Sequence, residues 1–325
     1  MDKRERLQAT LRGEAVDRLA VALWRHFPVD DQRPEDLAAA TLEWQAQYDF
    51  DFVKVTPSSS YCLRDWGAED AWRGNPEGTR DYGRRVVQSP AGWGALRPLH
   101  PRQGHLGGML HALELIGQGL GGATPFIQTI FSPLGQARNL VGPDLLPAHA
   151  RLYPGELKVA LEVITESTLR FIEAARTTGL DGLFYAVQYA STRVFSVAEY
   201  CEFGEPYDRQ ILEAASDLWL NVVHLHGEHV MFDVLAAYPA AVVNWHDTHT
   251  PPDLAGGLRH IHGAACGGLS QWDTMVLGTP AQVRAEAEHA LALTQGRRFI
   301  LGTGCVTPIV APRANLRAAR DFAGR

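Results

Sequence analysis

Cysteine is scarce in this chain, with four in 325 residues (Cys62, Cys201, Cys266 and Cys305). Four thiols do not make a disulfide framework, and a chain of this length buries enough apolar surface to do without one. Any special cysteine is therefore expected to be chemical rather than structural. Positive charge is also short: 30 Lys and Arg stand against 37 Asp and Glu, a net charge of −7. No basic field exists to attract a nucleic-acid backbone or an anionic leaflet. Long apolar runs are missing too. The longest uncharged stretch, residues 115–137, holds five Gly, two Pro and three Gln, a composition that cannot satisfy its own backbone in lipid. The first residues, MDKRERLQAT, are charged where a secretory signal needs an apolar segment. The expectation is a cytoplasmic protein with neither nucleic acid nor membrane as partner.

What is present is an alternation. Eight short apolar runs, LAVALW (19–24), DFVKV (51–55), PFIQTIF (125–131), DGLFYAV (181–187), LNVVHLH (220–226), AAVVNW (240–245), CGGLSQW (266–272) and RFILGT (298–303), are separated by longer segments of helical period. That pattern predicts a parallel sheet with crossover helices, and eight repeats fit a (β/α)8 TIM barrel better than an open doubly wound sheet. Helix starts follow the runs at Ser132-Pro133, at the capping box Ser196 to Glu199, at Thr279-Pro280 with Gln282, and at Pro312. Residues 154–178 and 281–294 carry apolar stripes with charged outer faces, as surface helices do. The repeat is interrupted once, between the second and third strands, by a Gly/Pro/Trp-rich excursion over residues 66–98. There DYGRRVVQ followed by SPAGWGAL reads as a hairpin with an exposed aromatic, a lid-like insertion within one barrel domain spanning 1–325.

In a (β/α)8 barrel the reactive groups sit at the carboxyl ends of the strands. Here those ends carry Arg25-His26, Lys54 with Ser58 to Tyr61, Gln128, Tyr185 with Gln188 and Tyr189, His224-Leu225-His226, Asn244-Trp245-His246-Asp247, Gln271, and Thr303-Gly304-Cys305. Seven of the 13 His fall between residues 224 and 262. Alternation along a strand puts His224 and His226 on one barrel-lining face, and the glycines flanking the end of the last strand leave Cys305 free to aim at the same mouth. Two imidazoles and one thiol from separate strands form a three-ligand set with an open fourth position, the arrangement of a catalytic zinc. An inward His pair that hydrogen-bonds substrate or backbone remains the alternative. His246 and Asp247 are candidates to complete or orient the set, and an Arg at the end of an inward strand, Arg25, is a candidate to grip a substrate anion.

The segments KRERLQATLRGEAVDRLAVALWRHF, VVNWHD, GGLSQWDTMVLGTPAQV and RFILGTGCVTPIVAPRANLRAA together resemble the uroporphyrinogen decarboxylase superfamily across nearly the whole chain. The resemblance implies one of two chemistries on this barrel: metal-free decarboxylation of tetrapyrroles, or zinc-dependent transfer of a methyl group between a corrinoid and a thiol. Decarboxylases of the family carry Arg-Gln-Ala-Gly-Arg-Tyr after strand one, where this chain reads Arg25-His26-Phe27-Pro28-Val29-Asp30. Their Asp after strand two is matched by Ser58, their tyrosine after strand three is missing from Phe131 to Gln136, and their His near the chain end is Cys305. The methyltransferase branch has a His-x-Cys pair closing strand five and a Cys after strand eight. Here the pair is His224-x-His226, with Cys305 in the last place, so an imidazole replaces one thiolate.

The expectation is therefore a zinc methyltransferase or demethylase with His224, His226 and Cys305 as ligands. Arg25, Tyr185, His246 and Asp247 are its expected catalytic side chains, and His26, Ser58, Gln128, Gln188, Tyr189 and Gln271 its expected substrate contacts. A small molecule, a corrinoid protein and a second copy of the chain are the expected partners. The alternatives are a metal-free decarboxylase, in which Arg25 pairs with a carboxylate and a His supplies the proton, and a non-catalytic tetrapyrrole or corrinoid binder.

Overall fold

A computed structural model describes residues 1–324. Its strands are β1 (Ala20–Val21), β2 (Val53–Val55), β3 (Glu69–Ala71), β4 (Asp81–Arg84), β5 (Phe126–Phe131), β6 (Gly182–Val187), β7 (Val222–Leu225), β8 (Val242–Trp245), β9 (Ala264–Leu269) and β10 (Phe299–Thr303). Eight of them form one parallel sheet in the order β1-β10-β9-β8-β7-β6-β5-β2, and β3 pairs with β4 in a separate antiparallel hairpin. With helices between the strands, this is the expected α/β barrel. The helix starts also lie where the sequence puts them. Ser132 accepts from Gly135 N at 3.3 Å, and Ser196/Glu199 and Thr279/Gln282 form reciprocal capping boxes. Pro312 is the N-cap of Arg313–Phe322.

The seventh sheet strand begins two residues earlier than the apolar run suggests. Ala264 and Ala265 carry little hydrophobic signal, yet Ala264 N donates to Ala241 O at 2.9 Å and opens β9. The strand stops at Leu269 because Ser270 N turns to Glu286 Oε2 at 3.1 Å, which leaves Gln271 in the following turn rather than on the strand.

β1 and β2 lie at the two ends of the ladder, and a side chain joins them. Asp51 N donates to Val21 O at 2.9 Å while its carboxylate accepts from Val21 N at 2.8 Å, a backbone-like pair made half by a side chain. The carboxylate is fully buried and charge-compensated by two guanidiniums, with Arg6 Nη1 at 2.8 Å and Arg18 at 2.8 and 2.9 Å. A buried carboxylate persists only with such pairing.

The insertion is a hairpin of different composition from the expected one. β4 pairs with β3 upstream, and the downstream SPAGWGAL segment is a 3-10 helix over Pro90–Ala95. Its Trp93 is fully buried, donating its indole N–H to His149 Nδ1 at 2.9 Å, so the expected exposed aromatic is a packing anchor. The loop between β3 and β4 passes over the barrel mouth. Gly78 sits there with φ +83°, and a Cβ at this position would lie 2.5 Å from the Cβ of His26, so only glycine lets the loop rest on the segment that follows β1.

Removing the charge at the seam tests this account. Asp51→Asn leaves two guanidiniums around an uncharged amide, and a loss of about 3 kcal/mol in unfolding free energy is expected. Denaturant unfolding measures it. An unchanged midpoint would show that the seam does not depend on the carboxylate.

Candidate active site

The carboxyl ends of the strands surround a cavity of about 520 Å³. Trp24, Phe131, Phe184 and Ala186 form its apolar floor, and Glu77, Thr79, Arg80, Tyr82 and Arg85 of the insertion form its roof. His224, His226 and Cys305 meet on one wall. His224 Nε2 lies 3.4 Å from His226 Nδ1, and Cys305 Sγ lies 3.7 Å from each of those nitrogens. His246 joins them, the four donor atoms lying within 4.8 Å of one another. A tetrahedral zinc with its usual Zn–N and Zn–S bonds separates two nitrogens by about 3.3 Å and a nitrogen from a sulfur by about 3.6 Å. The triangle therefore has the edges that this ion needs, and these residues fit the metal.

The surrounding residues set the protonation of the donors. Asn244 gives both N–H bonds of its amide to carbonyls, Cys266 O at 2.8 Å and Thr303 O at 3.0 Å, so its Oδ1 must face His224 Nδ1, 2.7 Å away. That oxygen accepts the Nδ1 proton and leaves Nε2 with a bare lone pair aimed at the triangle. Burial holds both His224 and His226 below the ordinary imidazole range, and it holds His246 down to about 3. Neutral imidazoles are the ligating form. Burial pushes the Cys305 thiol up to about 11, and a divalent cation held beside it would favour the thiolate. Gly304 permits the convergence, because a Cβ there would stand 2.7 Å from His246 Cα and 2.8 Å from Trp245 O.

Of the other expected residues, His26 and Gln188 line the cavity, and Tyr189 lines a side arm of about 210 Å³ together with Gln188, His226 and Arg138. Six lie elsewhere, three of them because strand faces alternate. Trp24 and His26 point inward, so Arg25 points out, its guanidinium 4.9 Å from the Trp44 ring and 5.1 Å from the Phe27 ring. Phe184 and Ala186 point inward, so Tyr185 points out and donates to Asp208 Oδ1 at 2.6 Å. Thr129 and Phe131 point inward, so Gln128 points out, its Nε2 donating to Thr129 O at 3.0 Å. Ser58 faces a lateral pocket beside Tyr61 and Arg64, 3.3 Å from Ser60 Oγ, and Ser59 takes the place on the central cavity. Asp247 folds over Gly267, accepting from Gly268 N at 3.0 and 3.2 Å, and does not line the cavity. Gln271 is buried in the turn after β9 and is likewise absent from the cavity wall.

The structure adds residues that sequence reasoning left without a role. Lys54 is buried in the cavity, its Nζ 3.3 Å from Thr56 Oγ1 and 4.5 Å from the centre of the Phe184 ring. Burial brings its ammonium down to about 7. A lysine between two valines in a short strand was the available signal. Arg85 and Arg138 also line the cavity, and nothing in their local sequence marks them.

The family model described as uroporphyrinogen decarboxylase (URO-D) matches residues 2–325. A methylcobamide:CoM methyltransferase MtbA of Methanosarcina mazei is 23% identical over 218 residues, covering 66% of this chain and 62% of that protein. Its counterpart in Methanosarcina acetivorans is 21% identical over 238 residues, covering 72% of this chain and 68% of its own length. The alignment thus spans somewhat less than two thirds of the M. mazei relative. Among solved structures, a methyltransferase from Methanosarcina mazei superposes over 99% of this chain and 98% of its own, with a TM-score of 0.85 at 20% identity. A B12-independent methionine synthase from Shewanella superposes over 94% and 91%, with a TM-score of 0.60 at 13% identity. At these identities the structures share the fold.

The buried cluster that holds Tyr185 has a pH signature. Asp208 accepts from Tyr185, Tyr200 and Tyr238, but burial outweighs those bonds and raises its carboxyl from the ordinary 3.8 to about 6. The folded chain therefore keeps a proton that the unfolded chain releases near pH 4. Stability is expected to fall as pH rises from about 4 to about 6, by on the order of 3 kcal/mol, and to level off above. Asp208→Asn should flatten that slope in denaturant unfolding followed across this window. A slope that survives the substitution would assign it to other groups.

Proposed function

The chain belongs to the uroporphyrinogen decarboxylase family, and from that premise we propose that it is a zinc-dependent methyltransferase or demethylase moving a methyl group between a corrinoid or methoxy donor and a thiol. The observation that carries this reading is the triangle of His224 Nε2, His226 Nδ1 and Cys305 Sγ, with edges of 3.4, 3.7 and 3.7 Å. The relatives named methylcobamide:CoM methyltransferase support the reaction class. His224, His226 and Cys305 hold the ion, which when bound supplies a Lewis acid that lowers the pKa of a thiol beside it. Replacing one thiolate of the family's set by an imidazole removes a negative charge, so the site draws more electron density from that thiol.

The chain's own side chains do the rest. Asn244 fixes the His224 tautomer through three hydrogen bonds. Trp24, Phe131 and Phe184 keep water from the reacting sulfur and strengthen every charge interaction there. Lys54 places its amine on the cavity floor, and in its protonated form the field there favours a thiolate over a thiol. His26 and Gln188 contact the substrate. A cavity of about 520 Å³ suits a small acceptor. A bulky donor carried on a separate protein meets the acceptor at the mouth.

The decarboxylase reading drew its carboxylate grip from Arg25, and that guanidinium stacks on Trp44 outside the cavity. Chelation separates the two chemistries, since a metal-free decarboxylase keeps its activity and the proposed methyltransferase loses it.

Protein purified without a polyhistidine tag is expected to carry about one zinc per chain by elemental analysis, and single His224→Ala, His226→Ala and Cys305→Ala variants to lose it. Transfer from methylcobalamin to a small thiol should stop on chelation and return with zinc. Folded protein that takes up no divalent ion would end this reading. Asn244→Ala frees the His224 ring to rotate and exchange its proton, so zinc affinity in a competitive chromophoric titration should weaken by about tenfold to a hundredfold. Unchanged affinity would remove the role given to that amide.

A further inference from the structure

The hairpin over the mouth is held differently at its base and at its tip. At the base, each side of the hairpin is pinned by an ion pair. Asp70 of β3 binds Arg64 at 2.7 Å, and Arg80, one residue before β4, pairs with Asp31 and donates to the Pro28 carbonyl. Both carboxylate side chains are fully buried, so breaking either pair would leave an unmatched charge inside the protein. The base is therefore fixed.

The tip has a shape of its own. Residues 75–78 form a tight turn, closed by Gly78 N donating to Asn75 O at 2.9 Å and braced by Glu77 N donating to Asn75 Oδ1 at 2.8 Å. Asn in the first place, Pro in the second and Gly in the fourth are residues that a type I turn favours. The Trp72 indole N–H donates to Asn75 O at 2.9 Å and stiffens the turn from below. Among the described residues, only two hydrogen bonds join this rigid unit to the barrel. Ile309 N donates to Pro76 O at 2.8 Å, and Trp272 Nε1 donates to Glu77 Oε1 at 2.8 Å. Asn75 and Pro76 are exposed. Gly74 precedes the turn with φ +88° and Gly78 ends it with φ +83°, so both junctions use a residue that rotates there without steric cost.

The base rests on the segments after β1 and β2, and the tip rests on those after β9 and β10. Glu77 and Thr79 thereby roof the cavity of about 520 Å³. A small molecule fits beneath the seated turn, and a macrocycle does not pass it. A roof that closes over a small guest excludes water, and one that lifts admits a larger one.

We propose that residues 75–78 are a gate on the barrel mouth, latched shut by the Glu77–Trp272 and Pro76–Ile309 hydrogen bonds. It opens by rotation at Gly74 and Gly78 while the two buried ion pairs hold the base. The gate stands on the geometry of the hairpin and needs no metal. Only the identity of the large guest, a donor carried on a separate protein, rests on the methyl-transfer reading above.

Cys305 lines the cavity beneath this roof, and its labelling in the metal-free, full-length chain tests the gate without turnover. The probes are N-methylmaleimide, which is narrow, and fluorescein maleimide, which is wide, with the Cys305 peptide quantified by mass spectrometry. The wide reagent is expected to react through the open form, so its rate follows how often the latch is undone. Glu77→Ala and Trp272→Phe should each raise that rate about fivefold, the effect of one lost hydrogen bond, with the narrow reagent unchanged. Glu77→Gln keeps an oxygen for the indole N–H and should retain the wild-type ratio of the two rates. Gly74→Ala removes no contact, since a Cβ there meets nothing within 4 Å, yet it disfavours the seated backbone and should also raise the wide-reagent rate. Hydrogen exchange supplies a second readout: the Ile309 amide should lose protection in the Ala and Phe variants while the amides of β10 keep theirs. Wide-reagent rates that stay at the wild-type value in Glu77→Ala, Trp272→Phe and Gly74→Ala overturn the gate. So does a wild-type chain that the two reagents label equally fast, or exchange at Ile309 that rises only together with β10.

Discussion

One amide holds the candidate site together. Asn244 sits on β8, gives its two protons to carbonyls of β9 and β10, and receives the proton of His224 on β7. Four neighbouring strands are thereby tied at the height where the donor atoms meet. The amide cannot turn over without losing three hydrogen bonds in a fully buried place, a loss of several kcal/mol. Its orientation therefore decides which nitrogen of His224 is bare. The tautomer of this candidate ligand is set here by backbone groups two and three strands away, and the rest of the site inherits that choice.

Much of this was legible in the sequence, and the reason is periodicity. Parallel strands buried on both faces read as apolar runs, so the alternation of runs and amphipathic segments revealed the barrel. The spacing of His224 and His226 put both rings on one face, because two residues is the repeat of a strand. The same rule explains the failures. Arg25, Gln128 and Tyr185 stand one residue away from inward positions, at Trp24 and His26, Thr129, and Phe184 and Ala186. Polar residues near a strand end attract a functional reading, yet parity sends these to the outer layer, where Tyr185 serves the buried Asp208 and Arg25 covers Trp44. Apart from His26, the inward residue at each of these places is aromatic, small or a plain hydroxyl, and carries no chemical label.

The insertion was harder to read because its partners are remote. β4 alternates visibly, but its pairing with β3 crosses a nine-residue loop that has no turn signature of a tight hairpin. Trp93 looked like an exposed aromatic because nothing nearby in sequence reveals the ring of His149 waiting 56 positions downstream. Arg85 and Arg138 are separated by 53 residues, and neither lies in a basic run. Their meaning exists only after folding brings one over the other's wall, since an arginine on the surface and an arginine without a counterion are the same letter.

The cavity carries an excess of cations, with Lys54, Arg80, Arg85 and Arg138 on its wall against two carboxylates, Glu77 and Asp81. Lys54, Arg85 and Arg138 face an interior whose floor is aromatic and whose imidazoles are held neutral by burial. Adding a divalent ion to two neutral imidazoles and one thiolate leaves that wall with a further positive charge. Such a cavity is electrostatically incomplete. Low local polarity magnifies the imbalance, which costs stability in the free protein and is repaid when negative charge enters.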